Sequence, residues 1–171
     1  KINFSCTAYP RQATPGTQWV YHTSDTFLLG TVLNRYLHSL PGRSKQDIFR
    51  NVVVSDVYAP LGLSATVRTT MRTYDAVAQS LFGMGLTLHR DDIARLALFF
   101  GADHGQINGQ QILDSYMLDS ALQRDPNARG LQVASLPDYR YQHGFWARNV
   151  QNILGCANPT WVPFMSGFGG I

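Results

Sequence analysis

The sequence is short of charge, short of cysteine and free of long apolar runs, and each scarcity closes off a class of function. Only 15% of its 171 residues are Asp, Glu, Lys or Arg, and the net excess of +3 is scattered. The densest basic group, Arg35, Arg43, Lys45 and Arg50, is interrupted by Asp47. A phosphate backbone is gripped by a stripe of like charge, so no nucleic-acid partner is expected. No stretch approaches the roughly 20 apolar residues that a bilayer requires, so no membrane span is expected either. The opening residues Lys1 to Cys6 have neither a basic n-region nor an apolar h-region, and no signal peptide is read there. Cys6 and Cys156 fit neither a zinc site nor a Cys-x-x-Cys motif. They either pair, closing a loop long enough to stabilise the fold by about 4–5 kcal/mol in the chain-entropy account, or remain two separate thiols.

The motifs of common catalytic machinery are missing too. There is no Ser-x-x-Lys, no Gly-x-x-x-x-Gly-Lys phosphate loop, and no third glycine after Gly83-Met84-Gly85. Phe164 precedes Met165-Ser166-Gly167 where a nucleophile elbow requires glycine. His89-Arg90-Asp91 has the letters of a kinase catalytic loop, but Leu96 stands where the metal-binding Asn belongs. The triplet reads as the first turn of a helix. The five histidines, His22, His38, His89, His104 and His143, show no i,i+4 pair and no cysteine at ligand spacing, so no metal site is expected.

What is present centres on Pro15 to Gly30. A Pro-Gly turn leads through a β-prone piece holding Trp19 and Tyr21 into a helix, whose apolar positions are Leu28, Leu29, Val32, Leu33, Tyr36 and Leu37. Thr23 or Ser24 is the expected N-cap, Asp25 suits the positive first turn, and Pro41-Gly42 ends the helix. Ser44 and Asp47 resemble a capping box for a second helix with Ile48, Phe49, Val52 and Val53, which ends before Pro60. Residues 64–86 show little periodicity. A third helix opens near Thr87, with Ile93, Leu96, Ala97 and Phe100 as its buried face. Asn108-Gly109 signals a tight turn, and a fourth helix spans Ser115 to Leu122. Two aromatic β-prone runs follow, Tyr139 to Trp146 and Trp161 to Met165, with Ser166 to Gly170 turning the chain. Two strands make a poor sheet, so the chain is expected to be incomplete. Its division is 1–138, predominantly helical, and 139–171, the beginning of a sheet.

Tyr21 precedes a helix N-terminus. As a phenol of ordinary pKa near 10 it is a poor base unless a cation stabilises its phenolate. The plainer reading is an aromatic that anchors the helix start.

Pro15-Gly16-x-x-Trp19-x-Tyr21-x-Thr23, continuing into Phe27-Leu28-Leu29-Gly30, resembles the second motif of serine hydrolases of the β-lactamase/penicillin-binding type, nearest the class C-like esterases, nylon-oligomer hydrolases and D-aminopeptidases. Further pieces keep that family's order: Tyr58-Ala59-Pro60-Leu61-Gly62-Leu63, Leu86-Thr87-x-x-Arg90-Asp91-Asp92-x-Ala94-Arg95-Leu96, Gly109-Gln110-Gln111-Ile112-Leu113, Tyr141-x-x-Gly144-Phe145-Trp146 and Met165-Ser166-Gly167-x-x-Gly170. The resemblance implies an α+β fold, a helical region plus the first strands of an antiparallel sheet, incomplete at both ends. It implies cleavage of small amides or esters through an acyl-enzyme, with no cofactor. The nucleophilic serine and its lysine would lie in a Ser-x-x-Lys motif upstream, so the required partner is the missing N-terminal part, and 171 residues alone would be inactive.

Within that resemblance Tyr21 relays protons, Thr23 hydrogen-bonds substrate or the lysine, and the strand around Ser166-Gly167 lines the cleft and offers a backbone N–H to an oxyanion. For Thr23 and Ser166, N-cap and turn former are the competing roles. Trp146 and Trp161 read as core. Two departures stand out: Thr23 replaces the usual Asn, and Met165 replaces the Lys or His that would meet a β-lactam carboxylate. The compartment, bacterial periplasm or cytoplasm, stays open. The rival reading is a non-catalytic interaction or scaffold module that keeps the helical region.

Overall fold

A computed structural model describes residues 7–8, 10–44 and 46–167. The Cys6–Cys156 question, Lys45 and the loop after Gly167 therefore fall wholly or partly outside the described residues; Cys156 itself is a half-buried thiol. The fold is α+β, and it gathers into two compact units. A helical unit comprises His22–Ile112 with the described residues before Arg11. A sheet unit joins Arg11–Tyr21 to the chain from Leu113 onward.

The helical unit opens with α1, Thr23–Ser39. Its N-cap is His22, not Thr23 or Ser24: the His22 carbonyl accepts the Asp25 N–H at 3.0 Å, and no side chain caps the turn. Gly30 is needed because the Phe82 ring lies where its Cβ would be. Only part of the expected apolar stripe is covered. Leu37 is buried, whereas Leu29, Val32 and Tyr36 are 54%, 62% and 65% exposed. Those three sit three and four residues apart, so they form one uncovered ridge. The isolated chain is accordingly expected to self-associate, and Leu29→Glu with Val32→Glu to shift it toward monomer in sedimentation velocity. A wild-type monomer at every concentration would overturn that expectation.

The second helix, Phe49–Tyr58, is wound as a π-helix, with Ala59 N–H reaching the Val54 carbonyl at 2.9 Å. Its cap differs from the expected Ser44/Asp47 box. Asp47 Oδ1 accepts the Arg50 N–H at 2.9 Å, and the Asp47 N–H is taken by Asn51 Oδ1 at 2.8 Å. Arg72 adds an ion pair at 3.0 Å. Burial pushes the Asp47 carboxyl up, but the hydrogen bonds from Arg72 and Arg50 outweigh it and hold the group below its ordinary range. Asn34 Oδ1 accepts the Ile48 N–H at 2.8 Å and so ties this helix start to α1.

A 3₁₀ turn, Ala65–Arg68, then carries Val67 into the core beside Leu63 and Leu96. Leu96 comes from α2, Arg90–Phe100, so Arg90 and Asp91 of the kinase-like triplet do lie in a helix first turn, with His89 as its N-cap. The buried face of α2 is Asp92, Leu96 and Phe99; Ile93 is 54% exposed and Ala97 is exposed too. The buried face differs from the one periodicity predicts because a carboxylate lies inside. Asp92 accepts from Ser64 N–H at 2.8 Å, Ser64 hydroxyl at 2.6 Å and His89 N–H at 3.0 Å. It closes the helix start and clamps the preceding turn at once. The hairpin β1, Gln106–Ile107, and β2, Gln110–Gln111, follows on an Asn108-Gly109 turn with both φ positive, as the dipeptide signalled.

The Ser64 hydrogen bonds, with His89 N–H adding to them, hold the Asp92 carboxyl at about 2, against an ordinary 3.8. A depressed carboxyl contributes stability that is complete above its unfolded pKa and disappears as pH falls through the folded one. The helical unit is therefore expected to lose stability between about pH 4 and pH 2. Asp92→Asn should flatten that part of a pH series of urea unfolding curves; an unchanged acid slope would show that other carboxyls dominate.

The sheet unit contains α3, Ser115–Ala121, capped by Asp114 accepting the Met117 N–H at 2.8 Å. Four antiparallel strands follow in sequential order: β3 Leu131–Val133, β4 Leu136–Gln142, β5 Phe145–Asn149 and β6 Trp161–Phe164. A short helical turn, α4 Gln151–Leu154, links the last two. This corrects the expectation of two strands. The aromatic run from Tyr139 to Trp146 is two strands folded about His143-Gly144, and the sheet opens at Leu131, ahead of 139. Val133 and Ala147 are its most buried members.

Candidate functional site

Side chains alternate across a strand, so register decides which aromatics share a face. Tyr141 pairs with Trp146, and Trp146 with Phe164, which lays three rings in a row across β4, β5 and β6. Trp19 packs on that row, 5.4 Å from Trp146 and 6.4 Å from Tyr141 between ring centroids. Tyr21 completes the cluster, stacked on Trp19 at 6.3 Å and edge-on to Tyr141 at 6.2 Å. Each such aromatic pair is worth about 0.5–1.5 kcal/mol beyond the area it buries. The Trp19–Tyr21 segment is thus pinned to the sheet by its rings.

The two ends of Tyr21 have different environments. Its ring is held on two sides, while the residue stays 48% exposed and its hydroxyl has no hydrogen-bond partner among the described residues. Its neighbour Tyr141 is more enclosed. Burial pushes the Tyr141 phenol above 10, and negative charge on Tyr21 raises it further.

Thr23 belongs to the helical unit, where it is exposed as the first residue of α1. Its carbonyl accepts the Thr26 hydroxyl at 2.7 Å and its methyl packs against Gly83. Its own hydroxyl has no partner among the described residues. Ser166 and Gly167 lie in the sheet unit, but β6 ends at Phe164, so they stand in an exposed loop and not in the strand. The Ser166 hydroxyl makes only a 3.5 Å contact to the Gly167 carbonyl. No hydrogen bond or ring contact links Tyr21 to Ser166 or Gly167. The aromatics expected in the core are both half-buried: Trp146 in the cluster, Trp161 on the other face of the sheet.

The helical unit also holds an open groove of about 1110 Å³, lined among others by Arg35, His38, Arg50, Gln79 and the Asp47–Arg72 pair. Its residues come from α1, the π-helix start and the 71–84 loop, and no local motif marks it. Among the described residues no cluster of three His, Cys, Asp or Glu is placed to hold a metal, and no helix is long and apolar enough to cross a membrane. Comparison of the chain with protein-family models, curated proteins and solved structures finds no match.

Proposed function

We propose that this chain is part of a β-lactamase-like serine hydrolase that cleaves small amides or esters through an acyl-enzyme. The observation that carries the reading is Tyr21: a phenol whose ring is fixed by Trp19 and Tyr141 while its hydroxyl has no partner among the described residues. An anchoring tyrosine has no use for an uncommitted hydroxyl at a helix entrance. A proton relay does, because the group must bond first to one oxygen and then to another.

In this mechanism a serine supplied by the missing N-terminal part, activated by its lysine, attacks the substrate carbonyl. Tyr21 carries the serine proton toward the leaving group. The role proposed for Thr23, whose hydroxyl has no partner among the described residues, is a hydrogen bond to substrate or lysine; that proposed for the Ser166-Gly167 loop is a backbone N–H to the oxyanion. No cofactor takes part. The α+β order, helices followed by an antiparallel sheet, supports the reading at the level of fold.

The test is hydrolysis of a p-nitrophenyl ester by the longer protein that carries Ser-x-x-Lys, beside the 171-residue chain. Turnover with a trapped serine ester in the former, and none in the latter, is the expected result. If the longer protein hydrolyses nothing, the scaffold reading replaces this one.

A further inference from the structure

The loop that follows α3, from Gln123 to Gly130, turns two of its carbonyls onto two arginines. Arg129 Nη1 donates to the Gln123 carbonyl at 2.7 Å, and Arg140 Nη1 donates to the Gly130 carbonyl at 3.2 Å. Both guanidinium groups then stack on the same indole: Arg129 lies 5.9 Å and Arg140 5.4 Å from the Trp161 ring centroid. Register puts Arg140 opposite Ala147, and Ala147 opposite Pro163, so Arg140 and Trp161 share the sheet face away from Tyr141 and Trp146. The cluster therefore uses no residue of the Tyr21 site.

Its charge is uncompensated. Neither arginine has an ion pair among the described residues, and both are half-buried. Arg140 Nε is buried with no hydrogen-bond partner among the described residues. Because Nη1 is committed to Gly130, the Nε–Nη2 edge is the side of the guanidinium left unclaimed, and that edge matches two oxygens of a carboxylate or phosphate. Gln123 adds an independent sign. It is 2% exposed, it takes a positive φ of 60°, and both its amide oxygen and nitrogen lack partners among the described residues. A buried amide with nothing to bond marks a place where a polar group is wanted. Arg148 provides the contrast: it lies 5.3 Å from the Tyr139 ring but is exposed, so water screens it.

We propose that the sheet unit binds an oxyanion, a carboxylate or a phosphate, between Arg129 and Arg140 beside Trp161. The indole and the two backbone carbonyls hold the guanidinium groups in place before the anion arrives, so little side-chain freedom is lost on binding. The inference is independent of the hydrolase reading.

The experiment is an NMR titration of the ¹⁵N-labelled chain with sodium acetate and, separately, sodium phosphate, each against sodium chloride at equal ionic strength. The Trp161 indole N–H and the Arg140 Nε–H should shift saturably with acetate, phosphate or both, and not with chloride. A tenfold tighter midpoint for phosphate assigns a phosphate ligand, and the reverse a carboxylate. Arg140→Lys keeps the charge but loses the planar fork, and should weaken binding at least tenfold; Arg148→Gln should leave it unchanged. Non-saturating shifts matching chloride overturn the proposal, and so does unaltered binding by a folded Arg140→Lys. Should that variant not fold, the wild-type comparison with chloride decides alone.

Discussion

Under the proposed hydrolase reading, replacing Tyr21 by phenylalanine is expected to lower ester hydrolysis by the longer protein by about 10²–10⁴-fold, the range for loss of a positioned proton-transfer group, while leaving the fold intact. The hydroxyl has no protein partner among the described residues, so its removal unpairs nothing. The ring contacts to Trp19 and Tyr141 survive the substitution. Stability should thus change by less than about 0.5 kcal/mol. A merely anchoring residue would behave the other way: Phe would be silent in rate and only loss of the ring would matter. The same variant has a spectroscopic signature. Burial and then charge on Tyr21 raise the Tyr141 phenol, so Tyr21→Phe should bring the Tyr141 titration down without returning it to 10, as followed by phenolate absorbance. A full rate with an unchanged titration would remove Tyr21 from the chemistry.

The largest effect on stability is expected at Phe99. It is fully buried in α2, its ring 5.4 Å from that of Phe100. Phe99→Ala should cost about 3–5 kcal/mol through lost transfer energy and the cavity left behind, a large share of the roughly 5–15 kcal/mol of a whole domain. Ile93→Ala, on the same helix, should stay within about 0.5 kcal/mol, because Ile93 is 54% exposed. Urea unfolding of both variants measures the difference. Equal losses would return α2 to the face that hydrophobic periodicity assigned to it.

That contrast shows how far the residue pattern reaches. The existence of α1, α2 and α3 and the Asn108-Gly109 hairpin are legible, because helical periodicity and left-handed turn chemistry are local signals. The buried face of α2 is not. Asp92 is drawn inside by Ser64, whose place in space no periodic count contains. The cap of the π-helix is missed for a related reason: Asn51 answers Asp47 from the far side of the turn, where a box rule looks only three residues ahead. The four strands are undercounted because His143-Gly144 lies inside a continuous aromatic run, and a short loop there turns one apparent strand into two. At the candidate site, Tyr21 and Trp19 are visible in the sequence, yet their seat on Tyr141 and Trp146 is not. Arg129, Arg140 and Trp161 carry no shared motif; the sheet register and a loop bring them together.

The sequential order of β3 to β6 bears on how the molecule assembles in time. Each strand pairs with its chain neighbour, so the meander closes through short loops and has low contact order, the condition for rapid formation. Trp19 reaches the sheet from far earlier in the chain. Its contact with Trp146 closes a loop that contains His22–Ile112, the main part of the helical unit, a step whose entropy cost must be met before any ring contact offsets it. Tyr21 rides on that late step. The hydroxyl proposed for proton transfer is thus expected to reach its station after the sheet has formed, and refolding followed by aromatic fluorescence should register its arrival as a slower phase than the sheet's own.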